Sequence, residues 1–111
     1  MTQVSTDPKP YTALALQSTC HAINRAPDVA SARALMFDNI ARVGRQIRAA
    51  KAFIGPDVRL VVLPEYFASS YPLGDTLPAW AERAAWSMAG PEYAAMGELA
   101  RAVLRWRRRR R

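Results

Sequence analysis

The chain switches between short apolar runs and one long helical stripe. Residues 11–17 read Tyr-Thr-Ala-Leu-Ala-Leu-Gln behind a Pro-rich arm, and a run of that length suits a strand. Loop-type residues follow from Ser18 to Pro27. Val29, Ala32, Met36, Ile40, Val43, Ile47, Ala50 and Ile54 then recur at spacings of 3, 4, 4, 3, 4, 3 and 4. That spacing predicts one face of an α-helix over about seven turns. Asp28 is placed to cap its start, and Arg42, Arg45, Arg48 and Lys51 enrich its later half, where the helix dipole favours cations. Lys51 itself falls off the stripe and reads as a solvated charge. Gly55-Pro56 ends the helix. Arg59 to Leu63 is a second strand whose Leu-Val-Val-Leu run does not alternate, the signature of a parallel strand covered on both faces. Strand, helix, strand makes a βαβ unit with adjacent parallel strands and a right-handed crossover.

Beyond the second strand, Pro72, Gly74, Pro78 and Gly90 punctuate a segment carrying Tyr66, Tyr71, Trp80 and Trp86. It reads as an ordered aromatic loop region with a short helix over about 78–88. Trp80, Trp86, Met88 and Met96 read as packing residues. A further helix starts at Pro91, a residue suited to the first helical position, with Tyr93, Met96, Leu99, Ala100 and Val103 as its apolar face. The pattern fails at Arg105. The chain divides into a polar arm over 1–10, an α/β body over 11–104 and an Arg-rich tail over 105–111.

Composition changes this picture in one respect. The chain has 111 residues, half of them hydrophobic and 23% charged, an ordinary balance for a single globular domain. Its net charge of +7 hints at a nucleic-acid binder, but six arginines stand in the last seven residues, leaving +1 for residues 1–104. The basicity belongs to the tail, which reads as a solvated run. A small module docking on nucleic acid or an anionic membrane through that tail is the alternative function, and no helix-turn-helix, RNA-recognition or zinc motif accompanies it. One cysteine and one histidine exclude a disulfide framework within the chain and the common zinc sites. No residues form a phosphate loop, and no cofactor or metal is expected. The N-terminus lacks the apolar core of a secretory signal and no run is long enough to span a bilayer, so the default expectation is a cytoplasmic protein.

Glu65 carries the most chemical information. It directly follows the second strand, in Leu60-Val61-Val62-Leu63-Pro64-Glu65-Tyr66-Phe67. Ligands of α/β sheets bind beyond the carboxyl ends of the strands. A carboxylate flanked there by Pro, Tyr and Phe is expected to be partly desolvated, which moves carboxyls toward the range of a general base. Tyr66, Phe67 and Tyr71 are candidate pocket residues. Cys20 and His21 are neighbours on an extended segment and point to opposite faces, so Cys20 reads as a buried or half-buried inert thiol and His21 as an ordinary loop residue.

The stretch Leu-Val-Val-Leu-Pro-Glu-Tyr-Phe, followed by Ser70-Tyr71, resembles the strand that carries the catalytic glutamate of the nitrilase superfamily, the carbon–nitrogen hydrolases. The flanking order is similar too: an apolar strand ending in Gln17, Asn39-Ile40 with an Arg-rich helix, and Gly90-Pro91 leading to Glu98-Leu99-Ala100. The resemblance covers about Tyr11 to Ala102. It implies an α-β-β-α sandwich, of which this chain would supply the first β-α-β-α portion. It also implies hydrolysis of a nitrile or non-peptide amide by a Glu–Lys–Cys triad, with Glu65 as the base, no cofactor, and a homo-oligomer when complete. The family's lysine and nucleophilic cysteine lie downstream of its glutamate and have no counterpart here. Two strands are few for a stable sheet. The expectation is therefore an N-terminal fragment, from a truncated or frame-shifted reading frame, that is inactive alone.

Overall fold

The computed structural model describes Asp7 and residues 9–104. The expectations for the tail over 105–111 and for most of the arm lie outside the described residues. The element order is β1 (Thr12–Ala15), α1 (Val29–Ile54), β2 (Val58–Val62), α2 (Leu77–Ala84) and α3 (Pro91–Val103). The body is thus a small mixed α/β unit.

β1 and β2 pair in parallel, with Ala13 opposite Leu60, Leu14 opposite Val61 and Ala15 opposite Val62. The register slips between Thr12 and Ala13. β1 is shorter than its apolar run, and β2 keeps the expected five residues but starts one residue early. Past Ala15 one ladder bond continues, from the Leu16 amide to the Val62 carbonyl at 2.9 Å.

α1 begins where the sequence places it. Asp28 is extended and its carboxylate accepts from the Ser31 amide at 2.7 Å, a bond that holds its pKa below the ordinary aspartate value. Gly55 closes the helix at φ 133°, a conformation side chains rarely adopt, and its amide bonds the Lys51 carbonyl. The apolar stripe overhangs its support at both ends. A 26-residue helix is about 39 Å long, whereas strands of four and five residues reach only about 13–17 Å. Val29 and Ile54 therefore stand exposed, and the buried part of the stripe runs from Ala32 to Ile47.

Two apolar clusters form the core. Val43, Ile47 and Val103 pack with Leu16, Val61, Leu63, Phe67 and Leu99 between the sheet, α1 and α3. Ile23, Ala26, Ala32 and Met36 pack with Trp80, Ala84 and Trp86 at the start of α1. Trp86 makes edge contacts with Phe67 and Tyr93 at 6.1 and 5.6 Å, joining the two groups of aromatics. Met88 departs from its expected packing role and is 83% exposed. α2 stops at Ala84 because Ala85 turns extended, so Met88 falls in the loop before α3.

Polar side chains tie the helices together. Arg33 on α1 donates to Glu92 on α3 at 2.6 Å and to the carbonyl of Glu82 at the end of α2 at 2.9 Å. Glu92 is 2% exposed. Arg83 reaches back to the Ala26 carbonyl at 2.7 Å. Lys51 corrects its expected solvated role: it is half-buried, and its ammonium donates to the Val103 carbonyl, capping the last turn of α3. A long stem lets a charge placed off the apolar stripe lie along the neighbouring helix.

Among the described residues, one face of the sheet is covered and the other is open. Leu16, Val61 and Leu63 meet the helices. Ala13, Ala15, Leu60 and Val62 lie on the other face and are exposed. The expectation of a strand buried on both sides is thus met on one side only, because α1 and α3 both pack on the same face.

Candidate functional site

The residues singled out for chemistry lie beyond the carboxyl ends of β1 and β2. Two loops meet there. Residues 65–69 form a turn directly after Leu63-Pro64, with the Phe67 amide bonded to the Pro64 carbonyl and the Ser70 amide to the Tyr66 carbonyl, both at 3.2 Å. Ser70 closes the turn at φ 71°, an uncommon conformation for a residue with a Cβ. The loop after β1 runs alongside it.

The turn is held through its own carbonyls, with donors from the loop after β1 and from α1. Cys20 Sγ donates to the Tyr66 carbonyl at 3.1 Å. The Ile23 amide donates to Ser69 at 3.1 Å, and Asn24 Nδ2 to Tyr71 at 2.9 Å. From α1, Asn39 Nδ2 donates to the carbonyls of Ala68 at 2.7 Å and His21 at 2.8 Å. One buried amide group thus joins both loops to the helix. Asn39 is 4% exposed and stands three residues after Met36 and four before Val43, within the buried stripe. A polar residue at helical spacing on an apolar face was the signal for this role, which the sequence reading did not assign.

Glu65 opens the tethered turn and is exposed. The expected desolvation is therefore not met among the described residues: Pro64 is half-buried, but no described element covers the carboxylate. Among the described residues its side chain makes no hydrogen bond or ion pair. The three candidate pocket residues separate. Tyr66 and Tyr71 are exposed, with ring centroids 5.9 Å apart and planes tilted by 56°. Phe67 turns inward onto the core and Trp86. Next to Pro64 lies an open crevice of about 460 Å³, lined by Gln17, Ser18 and Thr19 from the loop after β1. Ser18 Oγ is buried without a hydrogen-bond partner.

Cys20 is exposed, which corrects its expected burial. Its S–H is engaged by a carbonyl and not by His21, which is exposed beside it. Among the described residues no three His, Cys, Asp or Glu side chains converge as a metal site would require, and no helix is long and apolar enough to cross a membrane. Compared with family models, with curated proteins and with solved structures, the chain returns no match.

The arrangement provides a carboxylate held at a defined place by backbone tethers, two exposed phenol rings, and an adjacent crevice. It can present a base or hydrogen-bond acceptor to a small polar ligand. Among the described residues it does not assemble a nucleophile, a base and a cation around one reacting atom.

Proposed function

We propose that this chain is the β-α-β-α portion of a nitrilase-like carbon–nitrogen hydrolase, in which Glu65 serves as the general base toward a nitrile or a non-peptide amide. The observation that carries the reading is the position of Glu65. It stands directly beyond the carboxyl end of a parallel strand, at the head of a turn whose next carbonyls are tethered by the neighbouring loop and by Asn39. The sheet face left open by Ala13, Ala15, Leu60 and Val62 fits a unit that joins a larger sandwich.

In such a reaction a thiol attacks the nitrile or amide carbon as a thiolate. The carboxylate accepts the thiol proton, and a lysine stabilises the negative charge that develops. Glu65 takes the first of these roles. Cys20 does not take the nucleophile's part, because its sulfur is bonded to the Tyr66 carbonyl. The members of such a triad act as a unit, so a base alone supplies almost none of its acceleration.

Two measurements test this reading. The purified 111-residue chain is assayed for nitrile and amide turnover beside Cys20→Ala and Glu65→Gln, and the nucleotide sequence past its last codon is read in all frames. Expected are no turnover, and an alternative frame encoding an apolar strand followed by lysine and cysteine motifs. A version extended through that frame should turn over and lose activity on Glu65→Gln. Robust turnover by the chain alone, abolished by both substitutions, would refute the division of roles. Absence of the two motifs from every frame would remove the fragment reading.

A further inference from the structure

The end of the body where α1 and α3 stop carries two features that the hydrolase reading does not use. The helices finish together: the Lys51 ammonium donates to the Val103 carbonyl, and a shallow hollow of about 460 Å³ is lined there by Arg48, Gly55, Pro56 and Ala102. The first feature is apolar. Phe53, in the last turn of α1, is 93% exposed, and Ile54 after it is exposed as well. The second is charge. Arg48 on α1 and Arg101 on α3 are exposed, and among the described residues neither makes an ion pair. In the sequence, Leu104 at the end of α3 is followed directly by Arg105, Trp106 and five further arginines. Seven residues reach up to about 23 Å, or about four turns of helix, which is long enough to cross this end of the body.

We propose that this end of the chain docks on an anionic membrane surface, with Phe53, Ile54 and Trp106 entering the interface and the arginines held at the lipid headgroups. A single exposed apolar residue needs no partner, and a run of arginines by itself reads as solvated. The fold brings the two to one place. A small apolar insertion beside a basic cluster is what a peripheral membrane anchor requires, because neither alone binds stably. Trp106 adds an amphipathic ring of the kind that sits at headgroup level. Charge complementarity fixes the lipid as anionic. Asp57 and Glu98 bring negative charge to this end, but Arg48, Lys51, Arg101 and the six arginines that follow outnumber them. A nucleic acid would use the arginines and stack on aromatic rings, but it offers nothing to Ile54, whereas hydrocarbon accepts Phe53 and Ile54 alike. The docking is peripheral, since among the described residues no helix is long and apolar enough to cross a bilayer. The inference is independent of any catalytic role for Glu65.

The test is co-sedimentation of the full chain with vesicles of equimolar phosphatidylcholine and phosphatidylserine, beside vesicles of phosphatidylcholine alone and a polyuridine oligonucleotide. The chain should bind the anionic vesicles and not the neutral ones. Each arginine near such a surface strengthens binding about fivefold, so Arg108→Ser with Arg109→Ser should weaken it about 25-fold, and by less as salt is raised. Phe53→Ser should weaken it about tenfold at low and high salt alike, since apolar burial is not screened, and Phe53→Leu should keep most of the binding. Phe53 is exposed, and circular dichroism confirms that each variant is folded. No binding to the anionic vesicles, or equal binding to the neutral ones, overturns the proposal. So does vesicle binding that Phe53→Ser leaves unchanged, which would reduce the contact to the arginine run. Retention on polyuridine that exceeds retention on the anionic vesicles also overturns it and makes the partner a nucleic acid.

Discussion

Replacing Asn39 by alanine removes the one side chain that joins α1 to both loops of the candidate site. Its amide donates two bonds, to Ala68 at 2.7 Å and to His21 at 2.8 Å. Each hydrogen bond contributes about 1 kcal/mol net, and a buried carbonyl left unpaired costs about 1–3 kcal/mol. The Ala68 bond is buried and the His21 bond partly so, which places the expected loss at about 2–4 kcal/mol. Small domains have only about 5–15 kcal/mol in total, so this is a large fraction. In urea titrations the midpoint should fall while the slope stays unchanged, since the surface exposed on unfolding is nearly the same. Asn39→Asp separates bonding from volume: its size is similar, but an ionised carboxylate turns acceptors toward two carbonyls and should cost at least as much as alanine. Hydrogen exchange adds a local readout, because the Ile23 amide is bonded to Ser69 across the same junction and should lose protection. A loss under about 0.5 kcal/mol for alanine, or an aspartate variant as stable as the wild type, would refute the reasoning.

Arg33→Met should cost about 3 kcal/mol in a denaturant titration, because it strands the buried Glu92 carboxylate, and the double replacement Arg33→Met with Glu92→Leu should cost less than the single one. Lys51→Met should lower stability by about 1 kcal/mol and loosen the last turn of α3, read by exchange of the Leu104 amide, which bonds the Ala100 carbonyl. The Asp28 carboxyl has its pKa lowered in the folded chain, first by the bond from the Ser31 amide. Its contribution is therefore complete above the unfolded aspartate pKa and is lost as pH falls through the folded one. Asp28→Ala should lower the melting temperature at neutral pH, and the difference from wild type should vanish in acid.

The elements were legible where local pattern decides them. The 3/4 spacing located α1 almost to the residue, since Asp28 and Gly55 mark its ends in sequence as in structure. Pro91 marked α3 for the same reason. Burial was less legible, because it depends on what lies opposite. A hydropathy pattern gives a face but not the length of the partner, so Val29 and Ile54 looked like core and overhang a sheet too short to cover them. Leu60 and Val62 belong to a run that reads as buried on both sides, yet both helices lie on one face. Lys51 escaped because a cation four carbons from its backbone is placed by tertiary contact and not by helix phase. At the site, Glu65 was visible from its place after a strand. The fastening of its turn was not, since most of those bonds end on backbone carbonyls, which carry no trace in the sequence.

A base in catalysis needs a fixed place and shelter from water, and these two requirements have separate sources in this chain. The place is built from within: the Tyr66, Ala68, Ser69 and Tyr71 carbonyls are held by Cys20, Asn39, Ile23 and Asn24. The shelter is not, as Glu65, Tyr66 and Tyr71 all stand exposed. The division has a structural cause. Every tether comes from the loop after β1 or from α1, and nothing lies on the opposite side of the turn among the described residues. Loosening the tethers and covering the site are thus separable perturbations. Under the hydrolase reading, Asn39→Ala in an active, extended version should lower turnover by displacing the base, and Asn39→Gln should recover part of it. If turnover were instead unchanged while the urea midpoint fell, Asn39 would serve the fold alone and the tethered turn would have no part in the chemistry.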